Sequence, residues 1–440
     1  MHVSSTEPSR QRLSRTNCPK ILAYSLILEN ISEIFTSNGD DPVLKGGALC
    51  IAADTDGKIS FVGTTAGFLK IEPDFRSRYA EAVFDAGNRA VYPGLVDSHT
   101  HLVFAATRED EFAMKSRGAT YEEIAAAGGG IINSTGKTKS ATLEEIVRQA
   151  SRRLEQLISY GVTTVEIKSG YGLDTESELK LLTAVRELQK AYPIEIVPTF
   201  LGAHAYPPAF KNDHEGYISL INNEMLPEIK ARGLAEFADV FCEEGYFSLK
   251  ETEKLMTAAK DMGFKLKLHA DEFHSLGGTE LAAEMGAASV DHLEAVSGTG
   301  MKKLAENGVV AGVLPITSLF SRLPFAPAAK MRDLGVTVAL ATDMNPGSCM
   351  CGFLPLAASI GATQLRLSVE DALKGVTING AKSLKRDDRK GSIEIGKDAD
   401  LVVMDAETVS YPVYHFAHNH CRNLFVKGRL IYSDKQLSHL

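Results

Sequence analysis

The sequence predicts an α/β protein: a TIM-like (β/α)8 barrel carrying a small β-sandwich domain built from both chain ends. Three observations predict it. Eight short apolar runs alternate with helix-like stretches through the middle of the chain, which implies a parallel sheet. Each run closes on polar or ionisable residues, as the strands of a barrel with its site at their C-terminal ends would. Strand character without long helices returns only towards the two termini.

Composition supports a large globular core and removes several function classes. The 440 residues are 44% hydrophobic and 23% charged, far from the make-up of disordered or fibrous chains. A net charge of −9, from 47 basic and 56 acidic residues, leaves no basic footprint for nucleic acid. No stretch approaches the ~18 uninterrupted apolar residues that a bilayer crossing needs, so no membrane partner is expected. The six cysteines (Cys18, Cys50, Cys242, Cys349, Cys351, Cys421) are scattered and form no disulfide framework, which fits a reducing, cytoplasmic setting. Cys349 and Cys351 have no matching second pair and read as ordinary thiols. The first twenty residues lack the apolar segment of a secretory signal and read as a disordered arm.

The elements follow in order. Ile21–Ile31 and Ala48–Val62 read as β segments with a turn at Asp56-Gly57, so residues 1–92 begin the small β domain. The barrel spans 93–384. Its runs are Ala90–Asp97, Val162–Ile167, Ile194–Leu201, Ala238–Glu243, Lys265–His269, Ser289–His292, Val309–Leu314 and Val336–Ala341. Helices are expected over Thr142–Tyr160, Ser248–Met262 and, closing the barrel, Asp371–Leu384. Residues 385–440 return to β character in Ser392–Asp405 and Asn423–Tyr432. Neither terminal region is long enough to bury a good face alone, so the two are expected to pair with each other.

Five of the twelve histidines fall at or just beyond strand ends: His99, His101, His204, His269 and His292. His99 and His101 are two apart on an extended segment and point the same way. His269 ends the fifth run, and Asp343 follows the eighth, which neighbours the first in a closed barrel. Three imidazoles and one carboxylate suit zinc, while iron also accepts nitrogen and oxygen ligands.

Pro93-Gly94-Leu95-Val96-Asp97-Ser98-His99-Thr100-His101 resembles the opening signature of the amidohydrolase superfamily, and Gly396-Lys397-Asp398-Ala399-Asp400-Leu401-Val402 its closing β segment. Within that superfamily the chain is similar to the imidazolonepropionase family over nearly its full length. The marks are Leu102-Val103-Phe104 with Arg108, Ala127-Gly128-Gly129-Gly130-Ile131, Lys168-Ser169-Gly170-Tyr171-Gly172-Leu173, Leu201-Gly202-Ala203-His204, His269-Ala270-Asp271-Glu272 and Asp343 with Asn345-Pro346-Gly347.

The resemblance implies hydrolysis of the cyclic amide of 4-imidazolone-5-propanoate to N-formimino-L-glutamate, in a homodimer. Dinuclear superfamily members carry a carboxylated lysine on strand four, but this run ends Val240-Phe241-Cys242-Glu243-Glu244. One divalent or trivalent ion per chain, zinc or iron, is therefore expected on His99, His101, His269 and Asp343. Lys168, on a different strand, reads as structural. Glu272, three residues beyond a ligand, is placed to deliver a proton to the departing nitrogen. His292 or Asp343 is expected to take the water proton. An anionic imidazolone calls for Arg108 on its carboxylate, with Tyr171 adding a hydroxyl. His204, Asn345, Gly347, Ser348 and Tyr121 carry over as further contacts, and Gly128-Gly129-Gly130 as a loop over the site.

Two other readings share these residues. A purine- or pyrimidine-ring deaminase would use the same metal set but needs no partner for a propionate, so Arg108 separates the two. A catalytically dead barrel used for assembly would be expected to have lost part of the ligand set, which here is complete.

Overall fold

The computed structural model of the protein describes residues 24–118, 130–433 and 436–437. Cys18, Tyr121, most of the triple-glycine segment and the expected N-terminal arm lie outside the described residues.

Eight parallel strands form the central sheet, in the sequence order of a barrel: Leu95–Asp97, Val162–Lys168, Glu195–Ala203, Phe237–Cys242, Lys265–Ala270, Ser289–His292, Val310–Val313 and Val338–Leu340. Its two edges meet just past the strand ends, where Thr100 bridges Met344, the Asp343 amide donates to the His99 carbonyl and the His101 amide to the Met344 carbonyl. That seam places the first and eighth strand ends together.

The helices are local consequences of sequence. In Leu143–Ser159 the Thr142 hydroxyl accepts from the Glu145 amide, and Ile146, Ala150, Leu154, Leu157 and Ile158 make one buried stripe. Ser248 and Glu251 form a reciprocal capping box that starts Leu249–Asp261. The expected last helix is two helices, Val369–Gly375 and Ile378–Ser383. The break has a cause: the Val376 carbonyl accepts from the Val96 amide of the first barrel strand, and Thr377 turns out of helical geometry.

The second sheet also has eight strands and takes four from each end of the chain. Val83–Pro93 pairs antiparallel with Leu401–Met404, matching Tyr92 to Val402, and so joins the two halves. Leu26, Leu28, Ile31, Ile51, Val91, Val403 and Phe425 close one core on it. Tyr92, Val402 and Leu424 instead join the main core with Leu154 and Leu157 of the first long helix, which docks this sheet on the barrel.

The run read as one strand, Ala90–Asp97, serves both sheets and divides at Gly94. The Gly94 amide donates to Asp400 in the second sheet, and the next amide, Leu95, donates to Gly161 at the barrel. Only glycine fits that crossing, because a Cβ would lie 2.1 Å from Thr163 Oγ1.

Candidate active site

The C-terminal strand ends surround a cavity of about 340 Å³. His101, Arg108, Tyr171, His204, His269, Glu272, His292, Asp343, Asn345, Gly347 and Ser348 all line it, while His99 lies just beneath. The backbone aims several of them by uncommon geometry. Asp271, His292, Leu293 and Asp343 all have φ between 52° and 85°, a left-handed conformation that non-glycine residues adopt at a cost of order 1–3 kcal/mol.

Among the described residues, His99, His101 and His269 bring one nitrogen each within 4.8 Å of one another. Asp343 Oδ1 lies 3.5 Å from Nε2 of both His99 and His101, and its Oδ2 accepts from the Thr317 hydroxyl at 2.8 Å. Burial pushes the Asp343 carboxyl up to about 6. Burial, with Lys168 and the other imidazoles adding, holds His99 well below its ordinary value and therefore neutral. His101 is held down in the same way by burial and its neighbouring histidines. His99 Nε2 and His269 Nε2 are buried and have no hydrogen-bond partner in the protein. Buried, unpartnered nitrogens beside a carboxylate are the donor set a metal ion takes.

Beneath the donors lies a charged layer that fills the barrel interior. Lys168 Nζ contacts Asp239 at 2.7 Å and Glu166 at 3.0 Å, and Lys267 Nζ contacts Glu166 at 2.9 Å and the Ser98 carbonyl at 2.8 Å. Two carboxylates of this layer reach up to the histidines: Asp291 Oδ2 is 2.7 Å from His99 Nδ1, and Asp239 Oδ2 is 3.0 Å from His269 Nδ1. The Asp291 hydrogen bond behind His99 fixes its tautomer and leaves Nε2 as the donor, while Asp239 sits behind His269 as a charge contact. Sequence reasoning named only Lys168 of this layer. The signal was present, since Glu166/Lys168 and Lys267/His269 sit two apart in barrel strands and so share a face.

On the other side of the cavity, Glu272 Oε2 lies 3.7 Å and Glu294 Oε2 3.8 Å from His292 Nδ1. Burial, then the charges of Glu294, Asp343 and Glu243, push Glu272 well above the usual carboxylate range. Burial raises Glu294 to about 7, against the Ser318 hydroxyl bonded to it. Glu294 was not anticipated from sequence.

The polar end of the cavity is built by Arg108. Its Nη1 lies over Gly347, where a Cβ would come within 2.2 Å of it. The expected contact Asn345 has its amide engaged in its own turn: Oδ1 accepts from the Gly347 and Ser348 amides at 2.8 Å each, and Nδ2 donates to the Asp343 carbonyl and Ser348 Oγ. Tyr171 and His204 pack on His101, the latter stacked at 5.3 Å between centroids. Burial lowers His204 to about 4. Phe241, Tyr246, Phe273 and Phe320, which sequence reasoning did not single out, supply apolar wall.

Comparison with known proteins agrees with this architecture. The Amidohydrolase family model matches residues 130–432. An imidazolonepropionase of Treponema denticola is 49% identical over 360 residues, covering 82% of this chain and 87% of its own. One of Alkaliphilus oremlandii is 45% identical over 393 residues, covering 89% and 92%. The chain belongs to the imidazolonepropionase family of amidohydrolases. The fold of this imidazolonepropionase-family chain recurs in a solved 5-methylcytosine deaminase of Klebsiella pneumoniae, with TM-score 0.70 at 19% identity over 94% of this chain and 99% of that one. It recurs also in a zinc-bound adenosine deaminase of Xanthomonas campestris, with TM-score 0.67 at 18% identity over 94% of each chain. At such identities the likeness is one of fold. The family and the histidine–aspartate cluster together make this a metal-binding hydrolase site, and no described helix is long and apolar enough to cross a membrane.

Proposed function

We infer that the protein opens the ring of 4-imidazolone-5-propanoate with water to give N-formimino-L-glutamate, a step of histidine degradation. The observation that carries this reading is the pairing, around one cavity, of a buried histidine–aspartate donor set with the arginine Arg108. His99, His101, His269 and Asp343 would hold one ion, zinc or iron. Bound there, the ion supplies Lewis acidity, polarising a carbonyl and lowering the pKa of water from 15.7 towards 7.

The chain's own residues do the rest. Arg108 takes the propionate and orients the ring so that its carbonyl faces the strand ends. Tyr171 and His204 form the wall against which the ring lies. Water adds to that carbonyl carbon, the carbon–nitrogen bond breaks, and the carbon becomes the new α-carboxylate. Glu272, held protonated by burial, delivers its proton to the departing ring nitrogen. His292 stands beside it, where it holds or moves the proton of the attacking water. The phenyl rings and Tyr246 limit access of bulk water. A cytoplasmic homodimer completes the reading.

The test is product analysis after incubation with 4-imidazolone-5-propanoate, with metal content measured on the same sample. N-formimino-L-glutamate formed in proportion to bound metal supports the reading. Absence of product from metal-loaded protein, or full turnover by metal-free protein, overturns it. Arg108→Ala separates a carboxylate reader from a ring deaminase: it should remove roughly 2–5 kcal/mol of transition-state binding, read as kcat/KM.

A further inference from the structure

Glu111 has no part in the steps above, yet its carboxylate is contacted from three sides. Oε2 accepts from Arg108 Nε at 2.8 Å and lies 2.7 Å from Arg108 Nη2. The Gly130 amide donates to the same oxygen at 3.1 Å, and Asn133 Nδ2 donates to Oε1 at 3.1 Å. Glu111 thus occupies one whole edge of the guanidinium, and Nη1 is left as the end over Gly347. It also ties residue 111 to residues 130 and 133.

A free arginine side chain at a barrel rim explores many rotamers, and ordering it at the moment of binding opposes affinity. A side-on carboxylate removes that freedom beforehand, because the rigid fork of the guanidinium has only one orientation that satisfies both contacts. The substrate carboxylate must then approach the end that carries Nη1. We propose that Glu111 is a positioning residue that sets which edge of Arg108 meets the substrate, and so tunes the enzyme for ring substrates with an acidic side chain. This rests on the reading of Arg108 given under the proposed function.

The experiment is steady-state kinetics of the metal-loaded full chain on 4-imidazolone-5-propanoate and on its neutral primary amide. The variants are Glu111→Ala, Glu111→Gln, Arg108→Ala and both double combinations, each checked for metal content and thermal unfolding. Glu111→Ala should raise KM for the acid roughly tenfold with kcat within about twofold, and Glu111→Gln, which keeps an acceptor, about threefold. Neither should change kcat/KM for the amide, and neither should add to KM once Arg108 is alanine. An unchanged KM in the Glu111 variants, or an equal further rise in the Arg108→Ala background, overturns the positioning role while the Arg108 reading stands. An unchanged KM in Arg108→Ala overturns the Arg108 reading itself. If Glu111→Ala unfolds, Glu111→Gln and its double variant decide the question alone.

Discussion

At the scale of single residues, the site depends on side chains held in protonation states that water would not allow them. Glu272 is the sharpest case, a carboxyl pushed well above its ordinary range by burial and then by Glu294, Asp343 and Glu243. Glu272→Gln keeps the shape and a hydrogen-bond donor but has no proton to release. We expect kcat to fall by roughly two to four orders of magnitude with metal content unchanged, since that is the usual contribution of a positioned acid. Retention of most of the wild-type kcat would show that the nitrogen is protonated by another group. The convergence of His99, His101, His269 and Asp343 was legible in the sequence because each sits at a strand end and a barrel brings strand ends together. Asn345 was legible only through the resemblance to the family's motif, and its engagement with its own turn depends on backbone geometry that no spacing reveals. Glu294 escaped notice for a related reason, since the left-handed His292 and Leu293 turn it towards the site.

At the scale of elements, the eight strands could be read because buried parallel strands are continuous apolar runs. The inward charges of these strands, spaced two apart, were visible in the sequence but were not read as one layer. The interior of the barrel below the site is a salt-bridged layer, and its two lysines are completely buried. A charge left alone there has no water to solvate it, so breaking the layer is far more harmful than its surface equivalent would be. Lys168→Met should destabilise the fold by about 3–5 kcal/mol. Because Asp239 loses the partner that steadies it behind His269, the variant should also purify with less metal. Thermal unfolding and metal analysis read the two effects separately; wild-type values for both would show that Lys168 only fills space. The boundary between the two sheets was read at 92/93, but Ala90–Asp97 was taken as one strand because both halves are equally apolar. The division is decided by the hydrogen-bond partners on either side of Gly94.

At the scale of the whole molecule, the ion and the packing of the two sheets stabilise the same folded state. A ligand that binds only the folded chain adds RT ln(1 + [L]/Kd), about 2.7 kcal/mol at a hundredfold excess over Kd. Chelation should therefore abolish turnover and lower the unfolding temperature together, with both restored on returning the ion. An unfolding temperature indifferent to chelation would mean that the orphan nitrogens of His99 and His269 do not hold a metal.

The segment linking the barrel to the C-terminal strands carries a second device of molecular scale. Arg386 reaches Glu195 at 2.8 Å and Glu236 at 2.6 Å, and Arg389 reaches Glu195 at 2.7 Å. Glu195 opens the third barrel strand and Glu236 precedes the fourth, so the pair of arginines pins the linker to the end of the barrel opposite the site. Burial alone would raise Glu195, but hydrogen bonds and charge from Arg389 and Arg386 outweigh it and hold the carboxyl down to about 2, against an ordinary 4.5. A carboxylate depressed in the folded state stabilises it fully above its unfolded value and loses that stabilisation as pH falls through its folded value. The window for Glu195 therefore runs from about 4.5 down to about 2. In Glu195→Gln the group cannot titrate, so the variant should be less stable at pH 7 and should lose less unfolding temperature than the wild type between pH 5 and 3. Parallel curves for the two proteins across that window would show that the arginines hold the linker without drawing on the charge of Glu195.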